Sequence, residues 1–199
     1  PMDYRDGIVS CWGREMAIGP DGWPARIVSQ GRAVMPEPPA IRLVAAAGEV
    51  RLEPAGAQPR LLKQQPGAIE TEGSASGGGW TMTTSIRTEF DGLMRVNTRF
   101  EGPAGAEVRE LRISFPLSFA DEQMLGFYTG EHWFRAAHDY RLLPRPAADG
   151  PGDEVVFASN RTGRSHPRDW SGKVSFLPYV TIGDDRRGLC WFSENDRNW

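Results

Sequence analysis

Apolar and polar residues alternate along residues 79–102, and this period-two pattern limits the fold more than any other feature of the sequence. Side chains on an extended strand point alternately to its two faces, so the run "GWTMTTSIRTEF" has one apolar face. That face carries Trp80, Met82, Ile86 and Phe90. Asp91-Gly92 then supplies a hairpin signal, and "LMRVNTRFEG" alternates again. The pattern predicts two antiparallel strands with a shared buried face.

The length of the loop in this hairpin follows from the need to match the two faces. A two-residue loop would pair Phe90 with Leu93 and Ile86 with Asn97, which sets apolar against polar side chains. A three-residue loop pairs Phe90 with Met94 and restores the match. Because a one-residue slip moves every side chain to the other face, we predict an odd loop or a bulge.

Other runs of the same kind predict further strands. "IRLVAA" and "EVRLE" flank Ala47-Gly48, while "KVSFLPYVTI" and "GLCWFSE" flank "GDDRRG", so each pair predicts a hairpin. "IVSCWGRE" and "ARIVSQGRAV" are each interpreted as a strand, as is "EVRELRISFPLSF". In the last run Pro116 lacks an N–H and requires an edge or a bend. Residues 64–79, "QQPGAIETEGSASGGG", are interpreted as a polar, flexible connection with at most one short strand.

Helical periodicity is almost absent, apart from a weak pattern around 121–140. We therefore expect an all-β fold, an antiparallel two-sheet β-sandwich of galactose-mutarotase-like or jelly-roll-like type. A long insertion of loop and short helix is expected around 120–172, where proline and glycine are frequent. The 199 residues fit a single β-sandwich domain spanning 1–199.

Charge and composition exclude several classes of partner. The formal net charge is -3 with no basic block, so nucleic acid is not an expected partner. No apolar run reaches the length of a membrane span, and the first residues are not a signal peptide. The use of Ala, Arg, Gly and Pro suggests a bacterial protein, with cytoplasmic and secreted locations both open. For Cys11 and Cys190, two buried free thiols are favoured over one disulfide.

An aromatic and polar stretch at 127–140, "FYTGEHWFRAAHDY", is the best candidate for binding carbohydrate. Sugars stack on aromatic rings while carboxylates and amides hold their hydroxyls, so we take Trp133 and Asp139, with the neighbouring His132, as candidate contacts. Trp170, in "SHPRDWSG", is a further candidate. The alternative is that these aromatic rings fill a core beneath a long loop.

The stretch "LCWFSENDRNW" at 189–199 carries two carboxylates, Glu194 and Asp196, on one face of an extended strand. A glycosidase uses two carboxylates, so these are also candidate sugar contacts. Arg197 would hold a carboxylate ionised, however, which favours a charged turn at a strand end. No nucleotide-binding or hydrolase motif occurs, and His132 and His138 are spaced unlike a zinc pair. We therefore expect no catalytic residues, no metal and no cofactor.

Several stretches together resemble the N-terminal domain of glycoside hydrolase family 123-like proteins. The resemblance covers most of the chain and is weakest at about 55–78 and 128–172. It rests on Trp12-Gly13-Arg14, "PARIVSQG", "PAIRL", "EFDGLMRVNTRFEG", "VRELRISFPL" and the closing "FLPYVTIGDDRRGLCWFSENDRNW".

The resemblance implies a β-sandwich followed by a catalytic (β/α)-barrel, which uses an adjacent Asp-Glu pair and removes β-linked N-acetylgalactosamine. Asp121-Glu122 and Asp153-Glu154 lie within the sandwich region, so no catalytic residue is carried over. The implied function is a non-catalytic domain of a β-N-acetylhexosaminidase-type protein that supports a C-terminal barrel, contacts glycan and uses Trp199 at the joint. The alternatives are an autonomous carbohydrate-binding module using Trp133 and Trp170, and a small glycosidase using Glu194 and Asp196 or His132 with Glu131.

Overall fold

The computed structural model describes residues 2–118 and 188–192, together with the backbone of 125–130, 138–143, 157–160, 164–167 and 179–183. These residues form antiparallel β-sheets and contain no helix. The predicted all-β fold is thus confirmed, and its sheets are consistent with a β-sandwich. By its internal contacts the chain divides into two units, Pro1–Ser118 and Phe119–Trp199. A single domain over 1–199 stays a prediction.

The first sheet is a five-stranded meander in which each strand pairs with the next along the chain. Its strands are β1 (Asp3–Arg5), β2 (Ile8–Cys11), β3 (Arg14–Ile18), β4 (Pro24–Ser29) and β5 (Arg32–Met35). One row of paired residues from β2 to β5 is apolar and buried: Val9, Met16, Ile27 and Met35. The stretches "IVSCWGRE" and "ARIVSQGRAV" are therefore two strands each, and the prediction of one strand each was wrong. A glycine at the centre of each stretch permits the tight turn.

The rest of the first unit forms two further sheets. The strands are β6 (Ala40–Ala45), β7 (Gly48–Val50), β8 (Glu53–Pro54), β9 (Arg60–Gln65), β10 (Ala68–Gly77), β11 (Trp80–Glu89), β12 (Met94–Glu101) and β13 (Val108–Ser114). The central sheet has the order β12-β11-β10-β8, with β9 also paired to β10, and the third sheet has the order β13-β6-β7. The predicted hairpin of β6 and β7 is confirmed, and β13 ends before Pro116.

The hairpin of β11 and β12 confirms the predicted parity of its loop. Ile86 pairs with Val96, and the last register pair, Thr88 with Met94, encloses 89–93, which is an odd number of residues. The predicted partner of Phe90 was wrong, because Met94 pairs with Thr88. Phe90 leaves the ladder and is exposed.

The stretch predicted as a flexible connection at 64–79 is instead the central strand of the central sheet. β10 is ten residues long and pairs with β11 from Ala68–Glu89 to Gly77–Trp80. Its buried positions are small or β-branched: Ala68, Ile69, Thr71 and Ala75. Small residues are required because the loop between β3 and β4 lies directly against β10.

The loop between β3 and β4 crosses β10 at Gly73. A Cβ atom at Gly73 would collide with backbone atoms of Pro20, Asp21 and Gly22. The Ser74 N–H donates a hydrogen bond to the Pro20 carbonyl over 3.2 Å. We name this contact of 20–22 with Gly73 the glycine crossing, and it joins the first sheet to the central sheet.

The apolar core between the central and third sheets lies beside this crossing. Trp23, Ala75 and Met82 form one buried cluster, against which the third-sheet residues Ile41 and Ile113 pack. A second cluster is formed by Leu43, Ala45 and Trp80. Tight packing of this kind is what makes core substitutions costly.

The second unit contains β14 (Leu125–Gly130), β15 (His138–Leu143), β16 (Phe157–Asn160), β17 (Arg164–Pro167), β18 (Tyr179–Gly183) and β19 (Gly188–Phe192). They form a sheet of order β15-β14-β18-β19 and a separate β16-β17 pair. The predicted hairpin of β18 and β19 is confirmed. The helix suggested around 121–140 is wrong for β14 and β15, because aromatic and β-branched residues favour strands and β14 has a ladder partner on each side.

Candidate functional site

Two hairpin turns lie side by side at one end of the first sheet. Trp12-Gly13 joins β2 to β3, and Gln30-Gly31 joins β4 to β5. The strands between them are in register from Arg14 to Ser29, so the two turns are neighbours. The Gln30 N–H donates a hydrogen bond to the Gly13 carbonyl over 2.8 Å, which ties one turn to the other. We call the first of these the Trp12 turn.

The Trp12 turn holds a bulky residue in a backbone conformation that such residues avoid. Its φ angles are 42° at Trp12 and 71° at Gly13. Two-residue hairpin turns of type I′ need positive φ at both central positions. At the first of these positions Asn, Asp or Gly is preferred. Asp6-Gly7, which joins β1 to β2, has the same pair of positive angles with a preferred residue. Tryptophan at this position is therefore costly for the backbone.

The ring of Trp12 is exposed and lies against Phe90. Trp12 is 64% exposed and Phe90 is 50% exposed. Their ring centroids are 5.9 Å apart with planes at 81°, which is an edge-to-face contact. A Cβ atom at Gly92 would lie 2.8 Å from Cδ of Arg14, so the β11–β12 loop also touches the base of the turn.

A shallow, open depression of about 600 Å³ lies beside the Trp12 turn. It extends over the part of the first sheet where Asp3 pairs with Ser10 and Ser10 with Glu15. The lining includes hydrogen-bonding groups of both charges and one amide: Asp3, Arg14, Glu15, Arg26 and Gln30. The depression thus combines an exposed aromatic ring with donors and acceptors.

Cys11 lines the same depression but is not suited to act as a nucleophile. Burial raises the pKa of its thiol above 9.0; Arg14 lowers this pKa and Asp91 raises it by smaller amounts. A thiol reacts as the thiolate, which a raised pKa disfavours. Both cysteines are free, as predicted; Cys11 is buried, but Cys190 is exposed, so its predicted burial was wrong.

Several acidic residues of the sheets form ion pairs with an arginine on a neighbouring strand. Arg42 contacts Glu49 at 3.2 Å and Glu110 at 3.1 Å, and Arg87 contacts Glu70 at 2.8 Å. Hydrogen bonding, to Glu49 for Arg42 and chiefly to Glu89 for Arg87, raises the pKa of each guanidinium. These pairs reinforce the ladders on exposed faces, where single ion pairs add little stability.

The structure places one of the predicted sugar-contact residues. Asp139 lies on β15, where its Cα atom is paired with Thr129. The other predicted residues lie outside the described residues: His132, Trp133, Trp170, Glu194, Asp196 and Trp199. Their roles stay predictions. In the described part of the chain, no group of three acidic, His or Cys residues could hold a metal ion, and no helix there is long and apolar enough to cross a membrane.

The sequence interpretation missed the Trp12 turn. The signal was an X-Gly dipeptide between two apolar runs, which marks a two-residue hairpin. Because X is Trp rather than Asn, Asp or Gly, the dipeptide is not a usual turn signal and the run is predicted as one continuous strand. Gln30-Gly31 is likewise an unusual turn dipeptide, and it too joins two strands.

Comparison with known proteins identifies the family. Residues 2–133, well over half of the chain, match the model of the family described as glycoside hydrolase 123, third domain. No curated protein and no solved structure matches the chain. The matched family is described as the third domain of glycoside hydrolase 123, whereas the sequence resembled the N-terminal domain. Where this domain lies within its protein therefore stays a prediction. The predicted relationship to glycoside hydrolase 123 is confirmed, and the chain belongs to the glycoside hydrolase 123 third-domain family.

Proposed function

We propose that this chain is a non-catalytic domain of a β-N-acetylhexosaminidase-type glycoside hydrolase. In this proposal it supports a catalytic barrel of the same protein and contacts glycan. The observation that carries it is the match of residues 2–133 to a domain of the glycoside hydrolase 123 family.

The chemistry of the described carboxyl groups supports a non-catalytic role. Glycoside hydrolysis commonly uses two carboxyl groups at the scissile bond, one of them an acid whose pKa is raised. Among the described carboxyl groups, burial raises the pKa of Asp21. Its Oδ1 atom accepts a hydrogen bond from the Trp23 N–H over 3.1 Å, and its loop is packed against β10. Asp21 therefore serves a turn rather than a substrate.

The direct test is an assay of the purified chain on 4-nitrophenyl N-acetyl-β-D-galactosaminide. We expect no release of nitrophenol above that of a buffer control. Release that Glu194→Gln or Asp196→Asn abolishes would overturn the proposal and favour the glycosidase alternative. The Glu72→Gln variant is the matched control, since Glu72 contacts Arg60 at 2.7 Å in the central sheet.

The supporting role has a separate test. The catalytic barrel is produced with and without this domain, and its thermal unfolding and turnover are compared. We expect a lower Tm without the domain, because a domain contact that exists only in the folded state stabilises that state. Equal Tm and equal turnover would remove the supporting role from the proposal.

A further inference from the structure

We propose that the Trp12 turn and the depression beside it bind a neutral oligosaccharide, with Trp12 as the stacking surface. This inference deepens the proposed function and rests on it, because it assigns a ligand and a location to the glycan contact of a non-catalytic domain. It differs from the sequence prediction, which put that contact at Trp133 and Trp170.

The first argument is the backbone at Trp12. Three turns of the first sheet share positive φ at both central residues: Asp6-Gly7, Trp12-Gly13 and Gln30-Gly31. Asp6 is a residue that this geometry prefers, whereas Trp12 is not. Residues held in disfavoured backbone regions concentrate at functional sites, where the strain is offset elsewhere in the structure. An Asn at position 12 would suit the backbone of the turn better, so the turn geometry does not account for Trp12.

The second argument is the exposure and fixation of the ring. A tryptophan with 64% of its surface exposed contributes little burial to the core. The edge-to-face contact with Phe90 restricts the ring, so less conformational entropy is lost when a ligand stacks on it. Aromatic rings with an apolar face suit the apolar face of a sugar ring.

The third argument is the set of polar groups around the ring. The carboxylates of Asp3 and Glu15 accept hydrogen bonds, the guanidinium groups of Arg14 and Arg26 donate them, and the Gln30 amide does both. Sugar hydroxyls need both kinds of partner. Two acidic and two basic side chains balance in charge, which fits a neutral ligand better than a sulfated or uronic one.

The fourth argument is the size of the depression. Its volume of about 600 Å³ is in the range of small-molecule sites in proteins. The depression is shallow and open, which suits a chain of sugars lying along the sheet rather than a single enclosed monosaccharide.

The test measures binding of the full chain to neutral oligosaccharides of glucose, galactose, N-acetylglucosamine and N-acetylgalactosamine by calorimetry. Sulfated oligosaccharides are the charged comparison. The key variant is Trp12→Asn, which removes the ring while keeping a residue that the turn prefers, so the fold is retained. Trp12→Phe keeps an aromatic surface, and Trp133→Ala and Trp170→Ala test the competing location.

We expect at least one neutral oligosaccharide to bind, and Trp12→Asn to weaken that binding at least tenfold, about the effect of losing one base-stacking contact. Its Tm should stay within ~3 °C of the wild type. Trp12→Phe should bind with intermediate affinity, and Trp133→Ala and Trp170→Ala should bind like the wild type.

Three results would overturn the inference: no neutral oligosaccharide bound, equal affinity in Trp12→Asn, or preference for the sulfated ligands. A wild type that binds no sugar but self-associates through Trp12 would identify a protein contact and also overturn it. The proposed function fails in a different experiment, the hydrolysis assay: it would be refuted if the chain alone hydrolysed the N-acetylgalactosaminide.

Discussion

Two contacts between the first sheet and the central sheet differ in almost every respect. At the glycine crossing, backbone lies against backbone, and no side chain fits between Gly73 and the loop of 20–22. At the Trp12 turn, two large rings meet edge to face and both remain exposed. The first contact admits only glycine or another arrangement without a side chain, while the second presents aromatic surface to solvent.

The comparison distinguishes residues that the fold requires, at the glycine crossing, from a residue that it does not require, at the Trp12 turn. Gly73 and Gly22 are required because an added Cβ would collide with backbone, which cannot move as the end of a long side chain can. Trp12 has no such requirement, and its backbone angle favours another residue. We therefore expect substitutions at the crossing to change stability strongly, and substitution of Trp12 to change mainly ligand binding.

The largest effect is expected from Gly73→Ala. The added methyl group must displace backbone atoms of Pro20, Asp21 and Gly22, so we expect the free energy of unfolding to fall by ~3 kcal/mol or more. The measurement is urea unfolding followed by circular dichroism. Gly67→Ala is the matched control, because nothing lies within 4 Å of the position of its Cβ, and it should stay within ~0.5 kcal/mol. Equal losses in the two variants would refute the tight crossing.

An intermediate effect is expected from alanine at the second residue of each neighbouring turn. Gly31 has φ of 75° with no atom within 4 Å of an added Cβ, so Gly31→Ala should cost ~1–2 kcal/mol from the backbone alone. Gly13 has φ of 71°, and its Cβ would lie 3.0 Å from Nε2 of Gln30. The Gln30 side chain can move, so thermal unfolding should rank Gly13→Ala only slightly below Gly31→Ala. A neutral Gly31→Ala would show that alanine adopts this positive φ at no cost, which would contradict the expectation.

A smaller effect is expected from Phe90→Ala. Phe90 is half exposed, and its edge-to-face contact with Trp12 contributes ~1 kcal/mol by the usual value for aromatic pairs. In a double-mutant cycle with Trp12→Asn, the two losses should be non-additive because they share one contact. Strict additivity would mean that the rings do not stabilise each other. Leu62→Ala, at an exposed position on β9, is the control for loss of exposed apolar surface.

The smallest effect concerns pH at the glycine crossing. Burial raises the pKa of Asp21 above 3.8, while the hydrogen bond from the Trp23 N–H lowers it by a smaller amount. A raised native pKa means that the folded state binds the proton more tightly, so the contribution of Asp21 to stability is full below pH 3.8 and is lost as the pH rises through the raised pKa. Asp21→Asn does not titrate.

Urea unfolding of both proteins over this pH window measures the effect. The stability of the wild type relative to Asp21→Asn should decrease as the pH rises. An increase would show that the native pKa is lowered instead, and that the carboxylate is stabilised at the crossing.

Much of the fold could be predicted from period-two patterns, because burial on one face of a sheet enforces them. The matched faces of β11 and β12 fixed the parity of their loop, and Ile86 does pair with Val96. The pairing of Phe90 was missed because this residue leaves the ladder to contact Trp12, which is a tertiary effect.

The strand β10 was missed for a similar reason. Gly73 and Ala75 resemble a linker in the sequence, yet they are small because the loop of 20–22 crosses them and the core closes over them. The sequence of β10 alone does not indicate that the loop of 20–22 packs against it.

The candidate site at Trp12 was missed because Trp-Gly is not a usual turn dipeptide. The predicted sugar contacts were chosen from aromatic and acidic composition, and of these the structure places Asp139 on β15. Composition indicates what side chains can do, but only the fold shows which of them surround a depression.

The most direct test follows the indole N–H signals of the seven tryptophans by nuclear magnetic resonance while neutral oligosaccharide is added. The Trp12 signal is assigned by its absence in Trp12→Phe, and those of Trp133 and Trp170 by their own substitutions. The account predicts that the Trp12 signal shifts with saturation while the other two stay in place. Shifts at Trp133 or Trp170 with an unchanged Trp12 signal would contradict it.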